Sequence, residues 1–165
     1  MARQGKTIIG RVEKVSFPKL GIFDVPAKID TGADTSTIWA SDISEVNGVL
    51  KFKLFGKKAP YYTGKELNFT RPNYLQTRVA SSFGHKELRY VIKLSLELGG
   101  RNIKGTFTLS NRSAKTYPIL VGRKLLNRKF LVDVSKGTPL KDLEERKRDR
   151  MRKELEVFEL WEKKK

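Results

Sequence analysis

Cysteine is absent from this chain of 165 residues. Without thiols, the protein forms no disulfide, performs no thiolate catalysis and offers no cysteine-ligated metal site. Histidine occurs once, as His85, and there is no His-Glu-x-x-His motif. A catalytic zinc ion usually takes three nitrogen, sulfur or carboxylate ligands from the protein, so we expect no bound metal. A cytoplasmic location fits the lack of cysteine.

Long hydrophobic runs are also absent. No stretch of eighteen apolar residues occurs, and the N-terminal region is not hydrophobic. We therefore expect a protein that is neither secreted nor embedded in a membrane. No glycine-rich loop with a lysine, of the kind that holds a nucleotide phosphate, is present either, so we expect no ATP and no other cofactor.

Acidic residues are few relative to basic ones. The chain has 35 lysine and arginine residues against 18 aspartate and glutamate residues, a net charge of +17. Residues 1–135 hold 24 basic and 10 acidic side chains, whereas residues 136–165 hold 11 and 8. Such a surface attracts polyanions, either nucleic acid or an acidic peptide. A basic, solvated surface without a specific partner is the alternative interpretation.

The residues that are present mostly alternate between apolar and polar. Strands are predicted at 7–15, 22–29, 50–54, 88–98, 103–109, 118–121 and 130–134, with a helical turn at 123–126. Hairpin turns are expected at Asn47-Gly48 and Gly99-Gly100. Residues 56–73 contain two prolines and two glycines and indicate a long loop or insertion. The chain is therefore predicted to be mainly β.

From residue 136 the pattern changes, and we divide the chain into a β domain at 1–135 and a charged helical extension at 136–165. Thr138 can cap a helix, and Pro139 suits its first position. The helix end near Leu155, Phe158 and Trp161 is predicted to dock on the body or on a partner subunit. A basic arm that binds nucleic acid is the alternative, but eight acidic residues argue against it.

The segment from Asp30 to Asp34 carries the chemistry of the chain. An aspartate can act as general acid or base toward water, and the following Thr31 hydroxyl can fix its position. Gly32 lets another backbone approach closely. The same triplet is also typical of an ordinary turn between strands.

A second motif follows at residues 118–126, where an apolar strand ends in Gly122-Arg123 and two leucines. With the Asp-Thr-Gly-Ala loop and the hairpin at 94–109, it resembles a protomer of the retropepsins, the aspartic proteases of retroviral type. The resemblance runs from Ile8 to Asp133. It implies an acid-protease fold, a closed β barrel with one short helix, here followed by a charged C-terminal helix.

The closer likeness is to a bacterial and archaeal family once labelled "ATP-dependent zinc protease". That family includes RimB-type peptidases, which trim glutamate tails added by RimK-type ligases. Its marks in this chain are residues 28–33, 81–92, 108–112, 120–123 and 130–133. Asn111 stands where that family usually has aspartate, and Lys115 falls near a common methionine.

The resemblance assigns roles to individual residues. Asp30 would be the catalytic carboxylate, with Thr31 and Gly32 completing its loop. Arg123 would pair with Asp34 inside one protomer and, with Gly122, support the loop. Substrate would meet Ala33 of the loop and a mobile flap, which falls on the segment Ser81, Ser82, Phe83, Gly84 and His85. An ordinary tight turn explains the serines and His85 equally well.

Aspartic peptidases need two carboxylates that share one proton, and this chain has one such loop. The sequence therefore predicts a homodimer with both Asp30 residues on the two-fold axis. The predicted function is an aspartic peptidase, a hydrolase acting on acidic, polyglutamate-like peptides. The alternative is a non-catalytic basic barrel that binds RNA or a ribosomal partner, although no RNA-binding signature is found, so nucleic acid is not favoured.

Overall fold

The computed structural model describes residues 5–80 and 84–163. Strands dominate, because apolar and polar side chains alternate along most of the chain. The strands are β1 (Thr7–Ile9), β2 (Val12–Phe17), β3 (Ile22–Asp30), β4 (Ser36–Val46), β5 (Val49–Leu54), β6 (Glu66–Thr70), β7 (Tyr74–Ala80), β8 (Lys86–Leu98), β9 (Arg101–Ser110), β10 (Ile119–Gly122) and β11 (Phe130–Val132). The helices are α1 (Arg123–Leu126) and α2 (Lys141–Glu162), with a 3₁₀ turn at Pro18–Leu20.

Six of the strands form a barrel-like ring. Hydrogen bonding runs from β10 through β3, β2, β8 and β9 to β4, and β4 pairs again with β10. Strand β10 lies parallel to β3 and antiparallel to β4, so it closes the ring between them. The inward side chains of these strands are buried in one continuous core that includes Phe17, Ile38 and Phe107. The prediction of a mainly β, barrel-like fold is confirmed.

Both predicted hairpins are present. Gly99 and Gly100 join β8 to β9 with positive φ angles of 55° and 73°, which glycine adopts without steric cost. Asn47 and Gly48 join β4 to β5 in the same left-handed region, at 50° and 73°. This turn matches the right-handed twist of the flanking strands.

The prediction that residues 56–73 form an irregular loop is wrong in its second half. Strand β6 lies there and pairs antiparallel with β5 at the edge of the sheet. Leu67 and Phe69 alternate with polar residues, and the Phe69 ring stacks on Phe52 at 5.6 Å between centroids. Prolines and glycines around this short strand obscure its alternation in the sequence.

A small second sheet joins the two ends of the β region. Strand β1 lies parallel to β11, and Thr7 N–H donates to the carbonyl of Lys129 at 2.9 Å. The Arg101 guanidinium donates to the carbonyls of Gly5 and Lys129, both at 3.0 Å. The beginning and the end of the β region are therefore tied at the same place on the ring.

Helix α2 begins later than the sequence predicts. Its N-cap is Leu140, whose side chain makes no capping bond, while Thr138 N–H donates to the Val12 carbonyl at 3.0 Å. The segment before the helix is thus held as an extension of the body, which takes Thr138 and Pro139 out of the helix. None of the helices in the described part of the chain is both long and apolar enough to cross a membrane.

The end of α2 does not dock on the body, which is one of its two predicted positions, and its docking on a partner subunit stays a prediction. Leu155, Phe158 and Trp161 are exposed, whereas the first turn of the helix contacts the body. There the Tyr117 hydroxyl donates to Glu144 Oε1 at 2.6 Å and accepts from Leu140 N–H at 3.0 Å. A polar anchor at the start of the helix therefore replaces the expected apolar contact at its end.

Candidate functional site

The Asp30 loop joins β3 to β4 beside the strand that closes the ring. Asp30 is the last residue of β3, and Gly122 of β10 is its neighbour in register. Ala33 N–H donates to the Asp30 carbonyl at 3.2 Å, so the chain turns tightly here. Thr31 and Gly32 lie exposed at the tip of this turn, and Ala33 is half-buried.

The second motif holds the loop through backbone hydrogen bonds from residues 122–124. The backbone N–H groups of Arg123 and Lys124 donate to the carbonyls of Ala33 at 2.8 Å and Asp34 at 3.1 Å. Gly122 N–H donates to Ser36 Oγ at 3.0 Å. The structure thus brings together the two motifs that the sequence separates by about ninety residues.

Gly122 is required by this contact. A Cβ atom at this position would lie 2.7 Å from the carbonyl carbon of Thr35 and 2.9 Å from the carbonyl oxygen of Ala33. Both neighbours are backbone atoms and cannot turn aside. Gly32 differs, because a Cβ there would meet only Asp30 Oδ1 at 3.6 Å, an ordinary contact distance. Nothing within the described chain demands glycine at position 32.

The expected ion pair between Arg123 and Asp34 is present, with Nη2 of the arginine against Oδ1 of the aspartate. Both side chains are more than half exposed. An ion pair in water contributes less than about 1 kcal/mol to the free energy of unfolding. The pair therefore contributes little to the stability of the protein.

Beside the loop, a groove of about 540 Å³ opens between the ring and the first half of α2. Lys28 lies two residues before Asp30 on β3, so both side chains leave the same face of the strand and enter the groove. Six basic and two acidic residues line it. The basic residues are Arg11, Lys28, Arg112, Lys115, Lys147 and Arg148, and the acidic residues are Asp30 and Glu144. The uncharged lining residues are Thr116, Tyr117, Leu120 and Met151.

Arg112 is the innermost of these cations. It is partly buried, and its Nε donates to the Tyr117 carbonyl at 2.9 Å. Burial lowers the pKa of Arg112, and the nearby Arg89 lowers it further, while Asp30 opposes both effects. The arginine and the aspartate are thus electrostatic neighbours, and a second cation stands close to them.

Arg89 is fixed by its own partner on β8. Its Nε and Nη2 both donate to Glu87 Oε2, at 2.9 and 2.8 Å. Arg89 acts electrostatically on Arg112, although Arg89 itself does not line the groove.

The predicted flap is only partly visible. Ser81, Ser82 and Phe83 lie outside the described residues. Gly84 has a positive φ of 79°, and His85 is exposed at the start of β8. Neither Gly84 nor His85 lines the groove. Among residues 5–80 and 84–163, no three histidine or carboxylate side chains come together in a way that would hold a metal ion.

Most residues of the groove are not predicted from the sequence. Lys28 could have been found, since it shares a strand face with Asp30. Arg11, Arg112, Lys147 and Arg148 come from three distant segments, and only the placement of α2 brings them together. Lys115 was noted only as a departure from a family pattern.

Comparison with known proteins gives one family and several relatives. The family described as "RimB-like: Retropepsin-like aspartic endopeptidase RimB" matches residues 8–139. Curated relatives named "Probable alpha-L-glutamate ligase" come from Shewanella pealeana and Desulfotalea psychrophila. They are 34% and 31% identical over 138 and 136 residues, which cover 80% and 78% of this chain. The match takes up only 29% and 28% of the ligases themselves.

A solved structure is also similar. It is the crystal structure of a protein of unknown function from Legionella pneumophila, 26% identical, with a TM-score of 0.59. The similarity covers 79% of this chain and 95% of that protein. The β body described above therefore occurs as almost the whole of another protein.

These relatives correct the predicted activity. The sequence predicts a hydrolase, an aspartic peptidase that works as a homodimer, with an RNA-binding barrel as the alternative. The curated relatives are named as glutamate ligases, enzymes that form a bond to glutamate, whereas a peptidase breaks one. The peptidase prediction is contradicted by these names. The predicted roles of Asp30, Thr31 and Gly32 in hydrolysis lose their basis with it.

Proposed function

Because the chain belongs to the RimB-like family of retropepsin-like proteins, and its curated relatives are named as α-L-glutamate ligases, we propose that it binds a glutamate-bearing acidic polypeptide. The proposed site is the groove beside Asp30. The chain spans less than a third of the length of the ligases it matches. We therefore limit the proposal to the binding of the acidic chain.

The observation that carries the proposal is the charge of the groove. Six cationic side chains surround a space of about 540 Å³, a size typical of pockets for small ligands and short peptide segments. Each added glutamate brings one more negative charge. A growing tail is therefore held more tightly with every residue, through Coulomb attraction to cations arranged around a concave surface.

The two carboxylates of the groove have different surroundings. Glu144 is engaged by Tyr117 and lies 3.7 Å from Arg11, so it belongs to the anchor of α2. Asp30 faces the open groove with Arg112 as its electrostatic neighbour. A carboxylate in this position can accept N–H groups from a bound polypeptide, while the surrounding cations take its side chains. The groove then distinguishes a peptide from other polyanions.

A binding assay tests the proposal. A labelled oligoglutamate peptide is titrated with the protein and with the variant Lys115→Ala/Lys147→Ala/Arg148→Ala. Each exposed charge contact contributes about 0.5–1 kcal/mol, so the triple variant should bind about 10- to 100-fold more weakly. The control is Lys19→Ala/Lys57→Ala/Lys58→Ala, which removes the same charge from exposed positions outside this groove. That control should bind within about threefold of the parent.

Two further ligands sharpen the test. An oligoglutamine peptide of the same length should bind at least tenfold more weakly than oligoglutamate, because it keeps the backbone and loses the charges. Equal affinity for a single-stranded RNA of the same net charge would contradict the proposal, since it would show a general polyanion surface. Equal weakening by the groove and control variants would contradict it as well.

We also propose that the protein is cytoplasmic, as expected from its lack of cysteine.

A further inference from the structure

Most of α2 extends beyond the groove. Met151 is the last residue of the helix that lines it, and every residue from Arg152 to Glu162 is exposed. A helix of this length spans about 33 Å, and roughly half of it stands away from the body. An isolated helical segment of about eleven residues is marginally stable in water. This exposed half therefore lacks the burial against the body that stabilises most helices in proteins.

The half of α2 that begins at Met151 carries an apolar stripe. Met151, Leu155 and Phe158 follow one another at intervals of four and three residues, which places them on one face. Their exposed fractions are 51%, 62% and 54%. Trp161 extends the stripe, with its ring 6.1 Å from that of Phe158. The face is too apolar and too continuous to count as scattered surface residues.

The charges of the helix are divided between its halves. Residues 146–153 contain six basic side chains and one acidic one, whereas residues 154–162 contain four glutamates and no basic residue. Three lysines follow at 163–165. The helix macrodipole favours basic residues near the C-terminus, so Glu159 and Glu162 interact unfavourably with it. An external positive charge beside residues 154–162 would offset this cost.

We propose that the missing partner is a second copy of this chain, paired through an antiparallel α2. A two-fold axis near Lys153 sets Met151 beside Leu155 of the partner subunit. It also sets Glu154 near Arg150 of the partner subunit, and Glu159 beside Arg148 of the partner subunit, because a two-fold axis brings matching flanks of the two helices together. The acidic half of each helix then lies along the basic half of the other, and the apolar stripes meet between them.

This pairing follows from self-complementarity. A parallel arrangement would set the basic halves against each other, and the acidic halves likewise, at a cost for like charges. In the antiparallel arrangement the two helix macrodipoles also point in opposite directions, which is favourable for neighbouring helices. This pairing is independent of the Asp30 loop, so it differs from the homodimer predicted for a shared catalytic pair. It shares Arg148 and Met151 with the groove but requires no bound glutamate.

Charge reversal on the full chain tests the proposal, with sedimentation velocity as the readout. The parent protein is expected to be a dimer at micromolar concentration in low salt. Glu154→Lys/Glu159→Lys should raise the dimer dissociation constant at least tenfold. The control Glu66→Lys/Glu97→Lys makes the same change in net charge on exposed residues of the β body, and should leave the constant within about threefold.

A compensating variant makes the test specific. Adding Arg148→Glu/Arg150→Glu to Glu154→Lys/Glu159→Lys exchanges the charges between the halves and should restore the dimer. Circular dichroism of each variant checks that α2 remains helical. A parent protein that stays monomeric at 100-fold higher concentration would overturn the proposal. So would a dimer insensitive to Glu154→Lys/Glu159→Lys, or a compensating variant that remains monomeric.

Discussion

The conformation of the Asp30 loop is determined by backbone contacts at single residues more than by charge. Gly122 touches the backbone of Thr35 and Ala33, and no side chain fits at that position. The exposed pair of Arg123 and Asp34 contributes little free energy by comparison. The shape of the loop therefore depends on the absence of one methyl group.

Gly122→Ala should consequently lower the free energy of unfolding by about 2–3 kcal/mol, because the added Cβ overlaps backbone atoms on two sides. Gly32→Ala is the matched control. Its Cβ meets an ordinary contact at 3.6 Å, so we expect a change within about 0.5 kcal/mol. Urea denaturation of both variants measures the difference. Equal destabilisation by the two substitutions would show that Gly122 is not specially constrained.

The contact between helix α2 and the β body depends on one tyrosine. Tyr117 sits at the base of β10, and its hydroxyl binds both Glu144 and the N–H of Leu140. No apolar side chain of the helix is buried against the body in the described chain. This anchor is consequently polar, and its strength depends on the protonation of the phenol.

Raising the pH should weaken the anchor. Burial, aided by the bond to Glu144, raises the pKa of Tyr117 above its ordinary value of 10.0. The folded protein then keeps a proton that the unfolded chain has lost. The contribution of this group to stability is complete below about pH 10 and falls as the pH rises further. The slope of unfolding free energy against pH between 9.5 and 11.5 should be steeper in the parent than in Tyr117→Phe. Identical slopes would contradict this assignment.

The elements also show how far sequence reasoning reaches. The long alternating strands β8 and β9 and the Asn-Gly and Gly-Gly turns are predicted correctly, because both signals are local, whereas β4 and β7 are not predicted. Strand β6 is missed, since five residues between prolines and glycines carry too little alternation. The contact of α2 with the body lies at its first turn, which the sequence does not predict, because a Tyr117–Glu144 bond has no local signature. The groove is missed for the same reason, as its cations come from distant segments.

The whole molecule is strongly cationic, with a net charge of +17. Long-range attraction of this kind acts mainly on the rate of encounter with a polyanion, whereas contacts inside the groove act on the rate of dissociation. The body contributes most of the excess, since residues 1–135 hold 24 basic and 10 acidic side chains. Any acidic ligand is therefore drawn to the protein before it reaches the groove.

The association rate of an oligoglutamate peptide should therefore fall at least tenfold between about 20 mM and 300 mM salt, as the screening length shortens. Stopped-flow fluorescence measures this rate. The control Lys19→Ala/Lys57→Ala/Lys58→Ala should slow association and leave the dissociation rate unchanged, because its charges act only at a distance. An association rate independent of salt would show that the net charge plays no part in capture.

The position of β10 has a consequence for how the protein is made. This four-residue strand fits between β3 and β4, which are formed from residues synthesised about ninety positions earlier. The ring cannot close, and the Asp30 loop cannot take its shape, until that segment has left the ribosome. Pairing over such a separation in sequence is slow, because a large loop must be ordered first. A nascent chain that ends before Gly122 therefore carries the Asp30 loop without its support.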